Sequence, residues 1–220
     1  SRVGGCCGFC ADERVVLLLA SETGFGALYG ALDELRVPGC VFALGQAADA
    51  LIAGQDMMII SPGIAWAKPF VQSAIAQGVE VMGELELGAR LTKGALVAIT
   101  GTNGKTTTTS LIYRILRDAG MNVALGGNIG ESFAYSVATG EYDWYVLELS
   151  SFQLDGMYRF RAHIGVLTNI TPDHLDRYNH CFQNYVDAKM RITQNMTSRD
   201  FFIYSGDDEV IWQQLPKYDF

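Results

Sequence analysis

Short apolar runs alternate with amphipathic segments along most of the chain, and this alternation predicts strands followed by helices. Apolar, partly β-branched runs predict buried strands at residues 15–19, 40–43, 57–60, 80–82, 96–99, 122–125, 144–149, 164–168 and 201–204. Apolar residues at helical spacing predict helices at residues 26–35, 69–77, 83–91, 111–119 and 182–195. This order is typical of an α/β fold with mainly parallel sheets.

The composition indicates a soluble globular protein that acts on small molecules. The 220 residues are 49% hydrophobic and carry a formal net charge of −8, which disfavours sequence-independent attraction to nucleic acid or anionic membranes. No apolar run reaches the length of a membrane span, and no secretory signal is evident. We therefore expect a cytoplasmic monomer without nucleic-acid or membrane partners.

The five cysteines are an odd number, which fits a reducing compartment better than a disulfide framework. Cys6, Cys7 and Cys10 are close enough in sequence to supply thiolates to a metal, with Cys40 as a fourth ligand. The sequence contains no second paired motif that would complete a metal site with this cluster. Incidental thiols in a poorly ordered tail over residues 1–11 are therefore the favoured interpretation.

The strand predicted at residues 96–99 runs into a loop rich in glycine and threonine, which opens a helix. Its glycines allow backbone N–H groups to converge on phosphate oxygens, while Lys105 adds a charge and Thr106 a hydroxyl suited to Mg²⁺. The residues expected to bind a nucleotide triphosphate are Gly101, Thr102, Asn103, Gly104, Lys105, Thr106 and Thr107. The loop is two residues shorter than the common Walker A pattern. A plain helix-capping turn is the alternative, but such a turn has no need for the lysine.

Two α/β units meet near residues 91–94, where one helical pattern ends and the strand before the phosphate loop begins. We predict a Rossmann-like N-terminal domain over residues 1–93. A P-loop ATPase-type central domain with a mainly parallel sheet is predicted to follow over residues 94–220.

Three further side chains are candidates for chemistry at the same sheet edge. Glu148 ends a buried strand, where nucleotide-binding sheets carry the acid that completes Mg²⁺ coordination opposite the loop hydroxyl. His174 follows the next strand between Asp173 and Asp176, which favours a functional histidine. The alternatives are a surface or helix-capping carboxylate and a structural histidine. Lys189, on an amphipathic helix, has the pattern of a solvated residue when it is considered alone.

Three turns place polar groups at strand ends, where open α/β sheets bind ligands. They contain Ser61, Pro62 and Gly63, then Asn128, and then the loop from Ser150 to Gln153. Hydroxyl and amide groups there suit the orientation of a polar substrate beside the nucleotide. Ordinary turn chemistry is the alternative.

Taken together, these motifs resemble the Mur ligase family of bacterial cell-wall synthesis, whose short phosphate loop reads Gly-Thr-x-Gly-Lys-Thr as residues 101–106 do. The similarity runs from about Met57 to the end of the chain. It includes the stretches at residues 61–64, 126–130 and 169–178. The string Ser150-Ser151-Phe152-Gln153-Leu154 is similar to the members that add D-glutamate to UDP-N-acetylmuramoyl-L-alanine.

The resemblance implies an ATP-dependent amide ligase of peptidoglycan precursor synthesis, in which D-glutamate attacks an acyl phosphate of the UDP substrate. Its implied catalytic residues are Lys105, Glu148, His174 and Lys189. It implies two Mg²⁺ ions, one held by Thr106 and Glu148 and one by His174 and a carbamylated Lys189.

The resemblance also assigns residues to the substrate. Ser61, Pro62 and Gly63 would hold its diphosphate, and Asn128 and His174 would contact its sugar-peptide part. The polar groups of Ser150 and Gln153, considered apart from the resemblance, would orient the substrate beside the nucleotide.

Two features depart from the family pattern. The glycine-rich turn after the family's first strand corresponds to residues 19–26, where only the later glycines remain. The chain stops at Phe220, so we expect a truncated central domain, no third domain for D-glutamate, and no ligase activity alone. The alternatives are another Mur ligase or folylpolyglutamate synthase relative, and a non-catalytic nucleotide-binding module.

Overall fold

The computed structural model describes the backbone of residues 15–18, and residues 52–61 and 64–217 in full. Several predictions about the N-terminal part lie outside these described residues. They concern the tail at residues 1–11, the cluster of Cys6, Cys7, Cys10 and Cys40, the turn at residues 19–26, the helix at 26–35 and the strand at 40–43.

Two parallel β-sheets form the framework of the described part. The first has the order β1-β2-β3, with β1 at Val15–Leu18, β2 at Met57–Ile60 and β3 at Glu80–Gly83. The second has the order β5-β6-β4-β7-β8, with β4 at Ala95–Thr100, β5 at Val123–Gly127, β6 at Trp144–Glu148, β7 at Ile164–Leu167 and β8 at Phe201–Tyr204. Neighbouring strands run parallel throughout both sheets. The predicted α/β class is confirmed.

Helices connect the strands, as parallel pairing requires. They are α1 at Pro69–Ala76, α2 at Glu84–Leu91, α3 at Lys105–Asp118, α4 at Phe133–Thr139, α5 at Ser151–Asp155, α6 at Phe182–Met190 and α7 at Glu209–Gln214. Helix α6 ends five residues before the predicted position, because the chain tightens into a 3₁₀ turn at Arg191–Thr193 and Asn195 adopts a φ of 65°. Within the described part, no helix is long and apolar enough to cross a membrane.

The prediction of a loop from Ser150 to Gln153 is wrong, because this stretch is the start of helix α5. The Ser150 hydroxyl accepts the N–H of Gln153, and the side-chain oxygen Oε1 of Gln153 accepts the N–H of Ser150 at 2.9 Å. This reciprocal pair is a capping box, which satisfies two backbone donors at a helix start.

Strands β4 and β6 lie inside the second sheet and are buried on both faces. On one face Val97, Ile99 and Val146 pack with the apolar side of α3. On the other, Leu96 and Leu147 belong to the cluster that packs against α2 and α4. The two helical layers leave the carboxyl ends of the strands open as the edge where ligands bind in sheets of this type.

Helix α2 is in contact with both sheets. Leu85 packs into the core of the second sheet, whereas Leu87 packs with Ile59 and Met82 of the first. At Gly88 a Cβ atom would overlap the ring of Phe133, so a glycine is needed for the close approach of α2 and α4.

Glu86 of α2 is fully buried at 0% exposure, yet it is satisfied by four donors. Its carboxylate accepts the backbone N–H groups of residues 158–160 at 2.9–3.1 Å, and the Nε of Arg90 at 2.8 Å. Burial alone would raise the pKa of Glu86, but these donors outweigh it and hold the pKa below its usual value.

Carbonyl groups at the end of α5 and in the irregular stretch after it, at residues 154, 157, 158 and 160, accept hydrogen bonds from side chains beyond α6. The Arg191 side chain donates to the carbonyls of residues 154 and 157. Gln194 donates to those of residues 157 and 158, and Asn195 to those of residues 158 and 160. Side chains from two distant parts of the chain therefore hold this segment on both its donor and its acceptor side.

Candidate nucleotide-binding site

The phosphate loop occupies the turn between β4 and α3. Gly101 has a φ of 145°, and a Cβ atom there would overlap the hydroxyl of Thr168. Gly104 has a φ of 81° and is the N-cap residue of α3, without a side-chain cap from the described residues. The first N–H groups of α3 are therefore available to an anion, and Thr106 and Thr107 lie exposed in this first turn.

The segment after β7 holds the phosphate loop in place. Asn103 donates its N–H to the Asn169 side-chain oxygen at 2.9 Å, and the Asn169 amide donates back to the Asn103 carbonyl at 3.0 Å. The N–H of Thr102 donates to the Asn169 carbonyl, and the Thr102 hydroxyl bonds both backbone groups of Thr171. Sequence reasoning gave no role to Asn169 or Thr171, because such cross-loop pairs leave no local pattern.

Two lysines meet at the carbonyl oxygen of Gly101. Lys105 Nζ donates to it at 2.9 Å and to the Thr102 carbonyl at 2.8 Å. Lys189 Nζ, from α6, donates to the same Gly101 oxygen at 2.7 Å. Lys189 is only 2% exposed, so it is not the solvated residue that its helix pattern indicates.

The environment of Lys189 favours the neutral amine. Burial is the larger cause and the positive charge of Lys105 the second, and together they lower the pKa of Lys189 to about 7, with Asp173 acting in the opposite direction. An amine with this pKa is partly unprotonated at neutral pH, which is the nucleophilic form.

Glu148 lies at the end of β6, paired with Ile99 of β4 just before the phosphate loop. The residue is 1% exposed, so it is neither a surface nor a helix-capping carboxylate. One carboxylate oxygen accepts the side-chain amide of Asn128 at 2.8 Å, and the other is buried without a partner among the described residues. An unpaired buried carboxylate oxygen beside a phosphate loop is a suitable ligand for Mg²⁺.

Asn128 is bonded to Glu148 twice. Besides the side-chain contact, its backbone N–H donates to the Glu148 carbonyl at 2.8 Å. The turn before it depends on Gly127, whose φ is 94° and whose added Cβ would overlap the Glu148 carbonyl oxygen. In this structure Asn128 therefore fixes the orientation of the carboxylate.

Tyr185, on α6, reaches both the phosphate loop and Lys189. It is 1% exposed, its hydroxyl lies 3.1 Å from the Thr102 hydroxyl, and its ring centroid lies 4.8 Å from Lys189 Nζ. Burial and the negative charge of Asp173 raise the pKa of Tyr185 despite the hydrogen bond to Thr102, so the phenol stays protonated. The sequence pattern treats Tyr185 as an ordinary core residue.

His174 lies on the loop after β7 with a φ of 49° and a side chain that is 57% exposed. Its Nε2 is 3.6 Å from Asp173, and its ring lies 5.3 Å from the ring of Phe152. No hydrogen bond joins it to Lys189 or Glu148. The described residues contain no cluster of three acidic, histidine or cysteine side chains spaced to hold a metal.

Phe152 of α5 connects its helix to the 3₁₀ turn at Leu175–Tyr178. The guanidinium carbon of Arg177 lies 4.0 Å from the ring centroid of Phe152, a cation–π contact. Tyr178 stacks on the same residue at 6.0 Å with an interplanar angle of 17°. These contacts place α5 beside the loop that carries His174.

A small pocket opens between the two sheets, and two of the predicted substrate residues line it. Ser61 contributes from the first sheet, while Gln153 and Phe152 contribute from the second. Gln153 and Ser150 also form the capping box of α5, so their roles include helix structure. Pro62 and Gly63 lie outside the described residues.

Known families match this chain over most of its length. The family model described as the Mur ligase middle domain matches residues 99–218, more than half of the chain. The chain belongs to the Mur ligase family. A second model, the MurD-like N-terminal domain of Mur ligases, matches residues 29–83 and extends the Mur ligase similarity upstream of Met57.

Several curated proteins that are similar to this chain carry the same ligase name. The UDP-N-acetylmuramoylalanine–D-glutamate ligase of Bacteroides thetaiotaomicron is 55% identical, over 94% of this chain and 51% of that protein. The ligase of the same name from Porphyromonas gingivalis is 43% identical, over 90% of this chain and 48% of that protein. The chain spans about half the length of the curated relatives it matches.

A solved structure supports the fold. The UDP-N-acetylmuramate:L-alanyl-gamma-D-glutamyl-meso-diaminopimelate ligase of Neisseria meningitidis superposes with a TM-score of 0.52, over 74% of this chain and 56% of that one. The sequence identity is 20%, so this likeness concerns the Mur ligase fold alone.

Proposed function

We propose that this chain is the ATP-binding part of an enzyme that adds D-glutamate to UDP-N-acetylmuramoyl-L-alanine. The observation that carries the proposal is the arrangement around Gly101: a helix N-terminus, two lysines and a buried, half-paired Glu148 at adjoining strand ends. The 55% identity to a ligase with that name supports the choice of substrate and amino acid. The first sheet, within residues 1–93, would belong to the domain that binds the UDP substrate.

ATP binding follows from the phosphate loop. The free N–H groups at the start of α3 suit phosphate oxygens, and Lys105 lies at the same turn. In the described structure Lys105 donates to two loop carbonyls. A triphosphate offers charged acceptors instead, so the ammonium would turn toward it and stabilise negative charge on the transferred phosphoryl group.

Magnesium would be held by the Thr106 hydroxyl and the unpartnered oxygen of Glu148, with Asn128 keeping that carboxylate in place. The ion would neutralise charge on the phosphates during transfer. Glu148 fits this role because a buried carboxylate oxygen without a donor is costly until a cation binds it.

Lys189 would serve a second metal after it reacts with carbon dioxide. The neutral amine attacks the carbon of CO₂, an N–C bond forms, and the amine loses a proton, which leaves an anionic carbamate. The burial and charge that lower the pKa of Lys189 favour the amine that this reaction needs. His174 would be the other protein ligand of this metal, and its side chain is 57% exposed.

The chemistry then uses the pocket between the sheets. The substrate carboxylate would attack the γ-phosphorus of ATP and release ADP. The amine of D-glutamate would attack the resulting acyl phosphate, giving the amide, phosphate and one proton. Ser61 and Gln153 would contact the substrate there, with Ser150 holding Gln153 through the capping box.

The ligase proposal is tested with a full-length protein that carries this sequence. UDP-N-acetylmuramoyl-L-alanine and Mg-ATP are supplied with a panel of amino acids, and phosphate release and product mass are measured. Of the amino acids in the panel, only D-glutamate should support turnover, and the Lys105→Ala substitution should abolish this turnover. Selective use of another amino acid would refute the substrate assignment and favour a different ligase of the family.

The carbamate is tested in the same protein. Lys189→Ala should lose most activity, and added short carboxylates should restore part of it because they replace the missing anion. Full activity of Lys189→Ala would exclude the carbamate role. We further propose that the enzyme acts in the cytoplasm as a monomer. Light scattering after size-exclusion chromatography measures its molar mass and tests the monomeric state.

A further inference from the structure

Tyr185 occupies the junction between the phosphate loop and helix α6. Its hydroxyl contacts Thr102 at 3.1 Å, and its ring lies beside Lys189, which donates to the neighbouring residue Gly101. We propose that Tyr185 is a positioning residue that holds the phosphate loop in its ATP-binding shape through a hydrogen bond to Thr102. This inference rests on the proposed ATP site.

The direction of the Tyr185–Thr102 hydrogen bond follows from counting donors and acceptors. A threonine hydroxyl has one hydrogen to donate and two lone pairs to accept with. The Thr102 hydroxyl donates to the Thr171 carbonyl at 3.0 Å and accepts the Thr171 N–H at 3.0 Å. One lone pair remains, so the Tyr185 hydroxyl is the donor to Thr102.

Thr102 is thereby fixed on three sides, and its position matters for the charge in the loop. Its carbonyl oxygen accepts Lys105 Nζ at 2.8 Å, so a shift of Thr102 moves an acceptor of the phosphate-binding lysine. Its N–H donates to the Asn169 carbonyl. The Tyr185 hydroxyl therefore acts on ATP through the loop and never touches the nucleotide itself.

Tyrosine is suited to this position because its ring and its hydroxyl do separate work. The ring is buried at 1% exposure and packs with Tyr178 and Phe182, so phenylalanine would keep this packing. Only the bond to Thr102 would be lost. Tyr185→Phe is therefore a variant that folds like the parent and tests the hydroxyl alone.

The experiment measures the dissociation constant of Mg-ATP by calorimetry on a full-length protein that carries this sequence. Tyr185→Phe should weaken binding about three- to tenfold, the range expected for one lost hydrogen bond. Tyr135→Phe, on helix α4 and away from the loop, is the matched control and should leave the constant unchanged. Without nucleotide, the unfolding midpoint should fall slightly for Tyr185→Phe, because the same bond is present in the free protein, and should stay at the parent value for Tyr135→Phe.

A double-mutant cycle separates positioning from a general structural effect. In a Thr102→Val background the partner hydroxyl is absent, so adding Tyr185→Phe should change ATP affinity by less than twofold. In a Thr102→Ser background the hydroxyl remains, so Tyr185→Phe should again weaken binding about three- to tenfold.

Equal losses in the valine and serine backgrounds, or parent-like affinity of Tyr185→Phe, would overturn the inference while leaving the ATP site intact. If the parent chain itself does not bind Mg-ATP, the inference and the proposed ATP site both fall.

Discussion

Lys105 and Lys189 share one hydrogen-bond acceptor, the carbonyl oxygen of Gly101, although they lie 84 positions apart in the sequence. One lysine comes from the helix that follows the phosphate loop and the other from α6. Two ammonium groups at a single oxygen repel each other, and burial adds to the cost of charge on Lys189. The pKa of Lys189, lowered to about 7, records both effects.

This shift makes the stability of the protein depend on pH. The folded pKa of Lys189 is about 7 and its ordinary value is 10.5, so between these values the unfolded chain binds more protons. The unfolding free energy should therefore rise with pH across this window, by at most about 1.4 kcal/mol per pH unit, and the gain is lost as pH falls toward 7. Lys189→Met should remove this slope in urea titrations at pH 7.5 and 9, run in bicarbonate-free buffer.

Lys68→Met is the control for that titration, because Lys68 is exposed. The unfolding free energy of Lys68→Met should depend on pH with the same slope as that of the parent. An unchanged slope in Lys189→Met would contradict a lowered pKa for this lysine.

Glu86 is expected to be the costliest carboxylate to remove. Glu86→Ala leaves the N–H groups of residues 158–160 and the Arg90 side chain without their buried acceptor, which should lower the unfolding free energy by about 3 kcal/mol at pH 7. Glu80→Ala removes a 47% exposed partner of the same arginine and should cost less than about 1 kcal/mol.

The difference between parent and Glu86→Ala should shrink in acid. Because the folded pKa of Glu86 lies below 4.5, the carboxylate contributes fully above that pH, and its contribution is lost as pH falls through the folded pKa. Equal urea midpoints for parent and Glu86→Ala at pH 7 would contradict the role of this buried acceptor.

The two glycines of the phosphate loop should respond differently to alanine. At Gly104 only the positive φ of 81° opposes a side chain, so Gly104→Ala should cost about 1 kcal/mol. At Gly101 the Cβ would also overlap Thr168, so Gly101→Ala should cost at least about 2 kcal/mol more. Urea unfolding measures both, with Gly206→Ala, a position in open space, as the reference. Equal costs at 101 and 104 would show that the Thr168 contact is relieved cheaply.

Glu148→Gln should separate stability from metal binding. The substitution removes a buried charge that has one unpartnered oxygen, so the unfolding free energy without ligands should stay within about 1 kcal/mol of the parent or exceed it. The additional stabilisation by Mg-ATP over ATP alone should disappear, because the amide is a poor Mg²⁺ ligand. Glu141→Gln, an exposed position, should retain it. Thermal unfolding with and without Mg²⁺ measures both effects, and parent-like Mg²⁺ stabilisation in Glu148→Gln would refute its role as a ligand.

The sequence predicts the strand ends well, because parallel strands bring their carboxyl ends to one edge. This geometry predicts that Glu148 lies at the sheet edge that carries the phosphate loop, and in the structure Glu148 pairs with Ile99 at that edge. It does not predict which side chains pair there. The bond from Asn128 to Glu148 joins the turn after β5 to the end of β6, 20 positions away, and the contact of Lys189 with Gly101 spans 88 positions.

Two other differences have separate causes. The pattern of apolar residues along the helix does not predict the burial of Lys189, since a charged residue on an amphipathic helix is usually solvated. The start of α5 was available in the sequence, because serine followed three residues later by glutamine is a capping-box signature. The prediction of a substrate loop at Ser150 to Gln153 neglects this signature.

Residues 156–160, directly after α5, have no regular secondary structure, yet several of their backbone groups are bonded to Glu86 on one side and to Arg191, Gln194 and Asn195 on the other. Amide protons exchange with solvent only when their hydrogen bonds open. Opening this segment exposes a buried carboxylate, so its amides at 158–160 will exchange as slowly as those of a core strand. We therefore expect this irregular stretch to behave in solution as a rigid part of the scaffold, like the strands around it.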